Sequence, residues 1–267
     1  MTFTTKTVAA VVCFSSFASP LLAAEGFLMV EKTVSGTTER ITNVQVEPQR
    51  MRAEMTNAAG ATQIVLFDSQ QQVLRIINMA NKSYTELTKA DADRMGAQVS
   101  AAMEGMKEKL AQMPPEQRAK MEAMMARIGG APGATPQKPD FRPAGKDMVG
   151  KWECDKYEGF RNNEKVTEVC TVDPKVLGLT PADFEVSKQV AAFFQKMVPI
   201  ATDQIVGIGT IETQGFNGIP VRRSTYRQGK VVSTSEVVKV GRQNFPASSY
   251  EVPEGFTKQA APMQTPK

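Results

Sequence analysis

The spacing of apolar residues divides the chain into strand-like and helix-like parts. Between residues 25 and 87, apolar and polar residues alternate in short runs separated by turn-forming residues, as in Arg40–Val46 and Gln49–Met55. A period of two is typical of half-buried strands, and short turns join antiparallel neighbours. The pattern therefore predicts an antiparallel meander over residues 25–87.

At Thr88 the apolar period changes to that of a helix. Thr88 and Asp91 form a capping-box pattern, and apolar residues then recur every three or four positions, at Met95, Val99, Met103, Met106, Leu110 and Met113. Pro114-Pro115 ends this helix and starts a second one. Residues 88–130 are thus predicted to form a Met-rich helical insertion.

A proline-rich connector is predicted after the insertion. Residues 131–147 contain four prolines among glycines and small residues, a composition typical of flexible linkers. Residues 148–257 are predicted to contain a hairpin, a helix that begins at a second capping box, Thr180–Asp183, and further strands, including Phe245–Val252. Residues 258–267 are predicted to be a disordered tail.

The hairpin carries both cysteines of the predicted mature chain. Lys151–Tyr157 and Lys165–Val172 are rich in strand-forming residues and flank a turn centred on Asn162. If paired residue numbers sum to 324, Cys154 lies opposite Cys170, close to the separation that a disulfide needs. We therefore expect a Cys154–Cys170 disulfide, with two unpaired buried thiols as the alternative.

The first 24 residues match a secretory signal peptide. Lys6 precedes a short apolar run and small residues, which predicts cleavage after Ala23 or Ala24 and export to the periplasm. The apolar run is shorter than the roughly 20 residues that cross a bilayer, and we expect no membrane-spanning segment.

The composition removes several classes of function. The chain has no histidine, which excludes Ser-His-Asp catalysis and His-ligated zinc. Its net charge of +4 comes without a long basic run, so we expect no nucleic-acid partner. Charges of both signs alternate along the hairpin, which favours a solvated strand face over a catalytic carboxylate pair. We expect a monomer that is not an enzyme and has no catalytic residues, cofactor or metal.

Two sets of apolar residues are candidates for binding. The first is a Met face on the insertion, at Met103, Met106, Met121 and Met124. Thioethers suit copper(I), and an exposed Met face suits apolar or unfolded partners, but the same spacing also fits plain helix packing. The second set, on the helix after Thr180, could line an apolar pocket or fill the core under the sheet: Phe184, Val190, Phe193, Phe194 and Met197.

Several short motifs in this order resemble a family of exported bacterial proteins described only as a domain of unknown function. They are Met113–Arg118 (MPPEQR), Cys154–Tyr157, Val176–Leu179 (VLGL) and Tyr250–Phe256 (YEVPEGF). The family is similar in fold to the lipoprotein carriers LolA and LolB. The resemblance implies an α+β fold: a curved antiparallel sheet, or half-barrel, with helices on its concave face. It transfers no binding residue.

Taken together, these patterns predict a periplasmic, non-enzymatic protein that binds an apolar ligand. The expected ligand is a lipid, an acyl chain, or a lipidated or unfolded protein. A Met-rich copper(I)-binding protein or an envelope-stress chaperone is the alternative.

Overall fold

The computed structural model describes residues 25–128, 139–197 and 214–261, and for 122–128 the backbone alone. Within these ranges the chain forms twelve strands, three α-helices and three short 3₁₀ turns. The strands are β1 (Glu25–Ser35), β2 (Thr38–Val46), β3 (Arg50–Asn57), β4 (Thr62–Asp68), β5 (Val73–Asn78), β6 (Ser83–Thr88), β7 (Asp140–Val149), β8 (Trp152–Arg161), β9 (Glu164–Val172), β10 (Ile219–Arg227), β11 (Lys230–Asn244) and β12 (Thr257–Gln259). The α-helices are α1 (Lys89–Gln112), α2 (Pro115–Ile128) and α3 (Glu185–Met197), and the 3₁₀ turns are Pro174–Leu177, Pro181–Phe184 and Ala247–Tyr250.

All the described strands belong to one sheet. Their order is β12-β6-β5-β4-β3-β2-β1-β11-β10-β9-β8-β7, and every neighbouring pair is antiparallel except β12 with β6. The pairing of β1 with β11 joins the N-terminal meander to the C-terminal strands. This confirms the α+β class with one large antiparallel sheet and the meander over residues 25–87.

One face of the sheet carries the main core. A buried row crosses six neighbouring strands, because each of its members is the register partner of the next: Phe27, Val46, Met51, Phe67, Leu74 and Leu87. Helix α3 covers this row with its own buried stripe, Val186, Val190, Phe193 and Met197. The ring of Phe193 meets that of Phe67 edge-on, with centroids 5.7 Å apart.

The first turns of α1 pack beside α3. At Gly96 the two backbones approach so closely that an added Cβ would lie 2.0 Å from the carbonyl oxygen of Lys196. Only glycine permits this contact, which fixes where the two helices cross. Among the described residues, no helix is both long and apolar enough to cross a bilayer.

The opposite face has a smaller core over β4 and β5. Ile64, Leu66 and Ile77 are buried there, and Val252 and Phe256 pack on them. These last two residues belong to the chain after β11, residues 245–261, which we call the C-terminal strap. The strap runs through the 3₁₀ turn at Ala247–Tyr250 and ends in the described part of the chain just after β12.

Two predicted boundaries in the second half of the chain are wrong. Asp140–Val149, which overlaps the predicted connector 131–147, is the edge strand β7; Pro143 is tolerated there beside a bulge, and Gly145 takes a φ of 90°. Lys258 and Gln259, placed in the tail 258–267, pair with β6. Residues 1–24, 129–138 and 262–267 lie outside the described part.

Phe245–Val252 was also expected to be a strand, and it is not. The chain there forms the 3₁₀ turn Ala247–Tyr250 instead. Pro246 and Pro253 flank the turn, and proline has no N–H to donate to a sheet ladder. The apolar residues of this segment therefore cover a sheet face and do not extend the sheet.

The hairpin between β8 and β9 forms the predicted disulfide in a different register. The sulfur atoms of Cys154 and Cys170 are bonded, with Cα atoms 5.4 Å apart. Cys170 lies opposite Lys156, so paired residue numbers sum to 326 and the predicted 324 is wrong. Residues 162–163 form the turn, so the pairs next to it sum to 325, and a bulge at Val166 adds one more. Because the shift is two residues, both cysteines stay on one face and bond along a diagonal.

Candidate functional site

The predicted pocket residues of α3 fill the main core. Val190, Phe193 and Met197 are 0%, 2% and 5% exposed, while Phe184 and Phe194 are half-buried at the margin of the same cluster. Side chains of the six-strand row occupy the space beneath the helix. A ligand at this place would have to displace core side chains, so the arrangement favours the core interpretation over an open pocket.

An ion pair fastens the start of α3 to the sheet. Arg242, on β11, donates to both carboxylate oxygens of Asp183 at 2.8 and 2.6 Å and to the carbonyl oxygen of Gly178 at 3.3 Å. Asp183 also accepts from the backbone N–H and the hydroxyl of Thr180, at 2.7 and 2.8 Å. Burial acts to raise the pKa of Asp183, but the hydrogen bonds from Arg242 and Thr180 outweigh it and lower the pKa.

The distal part of α1 no longer packs on the main core, and it carries two methionines of the apolar stripe. Met95 still packs against the main core, whereas Met103 is half-buried and Met106 is 42% exposed. These two thioethers lie one helical turn apart on the same side of the helix. Met121, on α2, is half-buried, and the side chain of Met124 lies outside the described part. We call Met103, Met106 and Met121 the Met surface.

Arg118 orders the turn between α1 and α2. Its guanidinium donates to the carbonyl oxygens of Leu110 and Ala111 at 2.9 and 2.8 Å, and to that of Met113 at 3.2 Å. These acceptors lie at the end of α1, where carbonyls lack an intrahelical partner, and the Leu110 carbonyl also accepts from the backbone N–H of Met113. Leu110 is buried at this turn. Met103 and Met106 thus lie on α1 and Met121 lies on α2, and the turn between the two helices is ordered.

The charged residues of the hairpin pair with one another. Lys165 Nζ lies 2.7 Å from carboxylate oxygens of both Glu158 and Glu168, which face each other across the strands. Burial acts to lower the pKa of Lys165, but the two carboxylates outweigh it and raise the pKa. Asp147 pairs with Arg222, and the hydrogen bond from that guanidinium lowers the pKa of the Asp147 carboxyl. These contacts favour a structural role for the charges.

A buried charged cluster under the strap was missed by sequence reasoning. Glu47 is 3% exposed, and one of its oxygens accepts from Arg50 Nε and Nη2 at 3.1 and 2.7 Å. The Arg50 guanidinium lies 4.5 Å from the centroid of the Tyr250 ring. Burial, together with the Glu47 carboxylate, raises the pKa of Tyr250. The Glu-x-x-Arg spacing across the β2–β3 turn was the one available signal.

An open depression of about 380 Å³ lies on the strap's face of the sheet. Ile64, Met79 and Ala80 form its apolar part, and Arg52 and Glu54 its charged part. Ile64 also belongs to the small core under the strap. The depression is therefore a continuation of the surface that the strap covers.

Comparisons with known proteins identify no family. No family model matches the chain, and no curated protein matches it in sequence. Among solved structures, an uncharacterised conserved protein from Thermus thermophilus aligns with 90% of this chain and 92% of its own, at 10% identity and a TM-score of 0.45. A chain of the Pseudomonas aeruginosa MucA/MucB complex aligns with 86% of this chain and 56% of its own, at 9% identity and a TM-score of 0.38.

A chain from the complex of MucB with MucA(peri) gives similar values, 10% identity and a TM-score of 0.36, over 86% of this chain and 54% of that one. This chain thus spans a little over half the length of those two chains. With TM-scores below 0.5, none of these likenesses supports an argument about what this chain binds or does.

Proposed function

We propose that this protein is an exported, non-enzymatic binding protein of the periplasm, which captures an apolar segment of an unfolded or lipidated partner on the Met surface. The half-barrel shape implied by the family resemblance, and a monomeric state, are part of this proposal. One observation carries it: the apolar stripe of α1 continues beyond the core, where Met106 is exposed and Met103 is only partly buried.

Methionine suits this role for a physical reason. Its side chain is unbranched and polarisable, so a Met-lined surface adapts to apolar partners of different shape. By contrast, the apolar residues of α3 are occupied by core contacts. We therefore assign the binding of apolar partners to the exposed helices and not to the layer between α3 and the sheet.

A triple substitution tests the proposal. The probe is a fluorescein-labelled, reduced and carboxymethylated α-lactalbumin, which stays unfolded, and the readout is fluorescence anisotropy. Changing Met103→Gln, Met106→Gln and Met121→Gln should weaken binding at least about tenfold, because burial of one apolar side chain is worth roughly 1.5–3 kcal/mol. Unchanged affinity would rule out the Met surface as the docking site.

A control removes three exposed apolar side chains elsewhere. Val231, Val232 and Val238 on β11 are 53%, 38% and 53% exposed, and the triple change of these valines to glutamine should leave binding unchanged. A fluorescent fatty acid serves as a second probe. If its binding survives the Met→Gln changes but is lost in Phe194→Gln, the ligand sits at the margin of α3 and the proposed surface is wrong.

Copper(I) binding is the second candidate, because two thioethers lie one turn apart on an exposed helix face and soft sulfur ligands suit copper(I). Leucine separates the two functions, since it keeps the apolar surface and removes the sulfur. Met103→Leu, Met106→Leu, Met121→Leu and Met124→Leu together should preserve capture of the unfolded probe. In a copper(I) titration, unchanged affinity of this variant eliminates the copper hypothesis.

A further inference from the structure

The C-terminal strap covers an apolar floor on the face of the sheet opposite α3. Val252 and Phe256 pack on the buried side chains of Ile64, Leu66 and Ile77. Beyond Phe256 the strap becomes β12 and adds to the edge of the sheet, parallel to β6. The floor thus accepts a segment that offers two apolar side chains four positions apart, with a turn at Glu254-Gly255 between them, and then a strand.

The strand part of the strap adds one ion pair. Lys258 Nζ lies 2.7 Å from Glu86 on β6, and the same carboxylate accepts from Arg75 Nε at 2.8 Å. The backbone N–H of Thr257 donates to the carbonyl oxygen of Lys82 at 3.0 Å. The surface therefore also recognises a positively charged side chain, which lies two positions after the second apolar residue.

Several features indicate that the strap is weakly held. All three residues of β12 are exposed, and Val252 and Phe256 are only half-buried. Tyr250, by contrast, is buried beside Glu47, so residues 252–259 are the more weakly held part of the strap.

The floor is also larger than the strap. The open depression of about 380 Å³ shares Ile64 with the covered core and continues it to Met79 and Ala80. An incoming segment can therefore make its first apolar contact beside the strap, before the strap detaches from the sheet. The free edge of β6 then becomes available for backbone pairing, which is the usual way in which an extended peptide adds to a sheet.

We propose that this face is a docking site for a segment of a second polypeptide, a turn followed by a strand, which replaces residues 252–259 of the strap. The segment carries two apolar side chains four positions apart, followed by a lysine or arginine for Glu86, and pairs parallel to β6. The site is distinct from the Met surface and does not depend on the function proposed for it.

A peptide with the strap's own sequence, residues 250–261, tests the proposal against the full chain. The labelled peptide should bind the wild-type chain weakly, because the strap occupies the site. Phe256→Ala in the full chain should raise the open fraction and tighten peptide binding at least about tenfold, since apparent affinity scales with the fraction of competent molecules. Val238→Ala, at an exposed valine of β11, is the matched control and should change nothing.

Charge reversal locates the bound peptide. Adding Glu86→Lys to the Phe256→Ala chain should weaken binding, and a peptide carrying Lys258→Glu should restore it. Hydrogen exchange provides a separate readout: the Thr257 amide should exchange faster than the amides of β4, and faster still in Phe256→Ala. Equal peptide affinity for wild type, Phe256→Ala and Val238→Ala overturns the proposal. The proposal is also overturned if the Lys258→Glu peptide does not regain affinity for the Glu86→Lys chain. It is likewise overturned if the Thr257 amide exchanges only when the amides of β4 exchange.

Discussion

Helices α3 and α1 carry similar apolar stripes but meet different surroundings. The stripe of α3 is buried along its whole length, from Val186 to Met197, against the row that crosses β1 to β6. The stripe of α1 is covered where the helix passes α3 and at Leu110 near its end, but between these points Met106 is 42% exposed. A helical period therefore shows that a face is apolar, whereas the element that covers it is set by the rest of the fold.

The largest expected effect is on stability, and it separates the two helices directly. Phe193→Ala should lower the free energy of unfolding by about 3–5 kcal/mol, because it removes a buried aromatic ring and leaves a cavity. Met106→Ala should change it by less than about 0.5 kcal/mol, since the side chain is exposed. Urea unfolding followed by circular dichroism measures both.

A large loss of stability in Met106→Ala would contradict this contrast. It would mean that the thioether is covered in solution, for instance by a second copy of the chain. Repeating the measurement over a range of protein concentrations decides between these cases, because stability that depends on association rises with concentration.

Removal of the disulfide tests how far the core covered by α3 extends across the sheet. Cys154 and Cys170 are 2% and 1% exposed and belong to the same core cluster as the α3 stripe, although they lie on β8 and β9. Changing both to alanine should lower the free energy of unfolding by about 3 kcal/mol, from the lost constraint on the unfolded chain.

Neither cysteine should react with an alkylating reagent unless the protein is first reduced and unfolded. Alkylation of the native, unreduced protein would contradict the bonded pair. In the double alanine variant the Met surface should keep its affinity for the unfolded probe, because no contact described above links the hairpin to the distal part of α1.

Much of the local structure was predictable because its signals are local. Alternating residues and short turns predicted β1 to β6, and the capping boxes at Thr88 and Thr180 predicted the starts of helical segments. The disulfide was predicted as a pair, but its register was not. The bulge at Val166 depends on how the strands twist together, and a single sequence carries little information on this.

The candidate site was less predictable for a related reason. Sequence reasoning named Phe193 and Met103 as apolar positions, but whether each lines a pocket, fills a core or faces solvent depends on residues distant in the chain. The pairing of β1 with β11 and the course of the strap are also long-range features. The burial of Glu47 was not predictable from its neighbours in the sequence, because Tyr250, which lies beside it, belongs to the strap far along the chain.

The smallest expected effect concerns how each helix begins. One capping box begins α1, and the other begins the 3₁₀ turn Pro181–Phe184 that leads into α3. Asp183 of the second box is held by Arg242 of β11, whereas Asp91 of the first is held by Arg94 of the same helix. Asp91→Asn should therefore cost only the cap, about 1 kcal/mol. Asp183→Asn should cost more, about 2 kcal/mol, because it also leaves the guanidinium on the sheet without its carboxylate partner.

The pH dependence follows from the lowered pKa of both carboxyls, from an ordinary value of 3.8. A lowered pKa in the folded state means that the unfolded chain takes up the proton first, so the stabilisation is present above pH 3.8 and is lost as the pH falls through the folded value. The wild type and Asp183→Asn should thus differ in stability at neutral pH and converge in strong acid, where the carboxyl is protonated in the folded and the unfolded chain alike. If Asp183→Asn costs no more than Asp91→Asn at neutral pH, the link to β11 adds nothing, and packing alone holds α3 on the sheet while α1 leaves it.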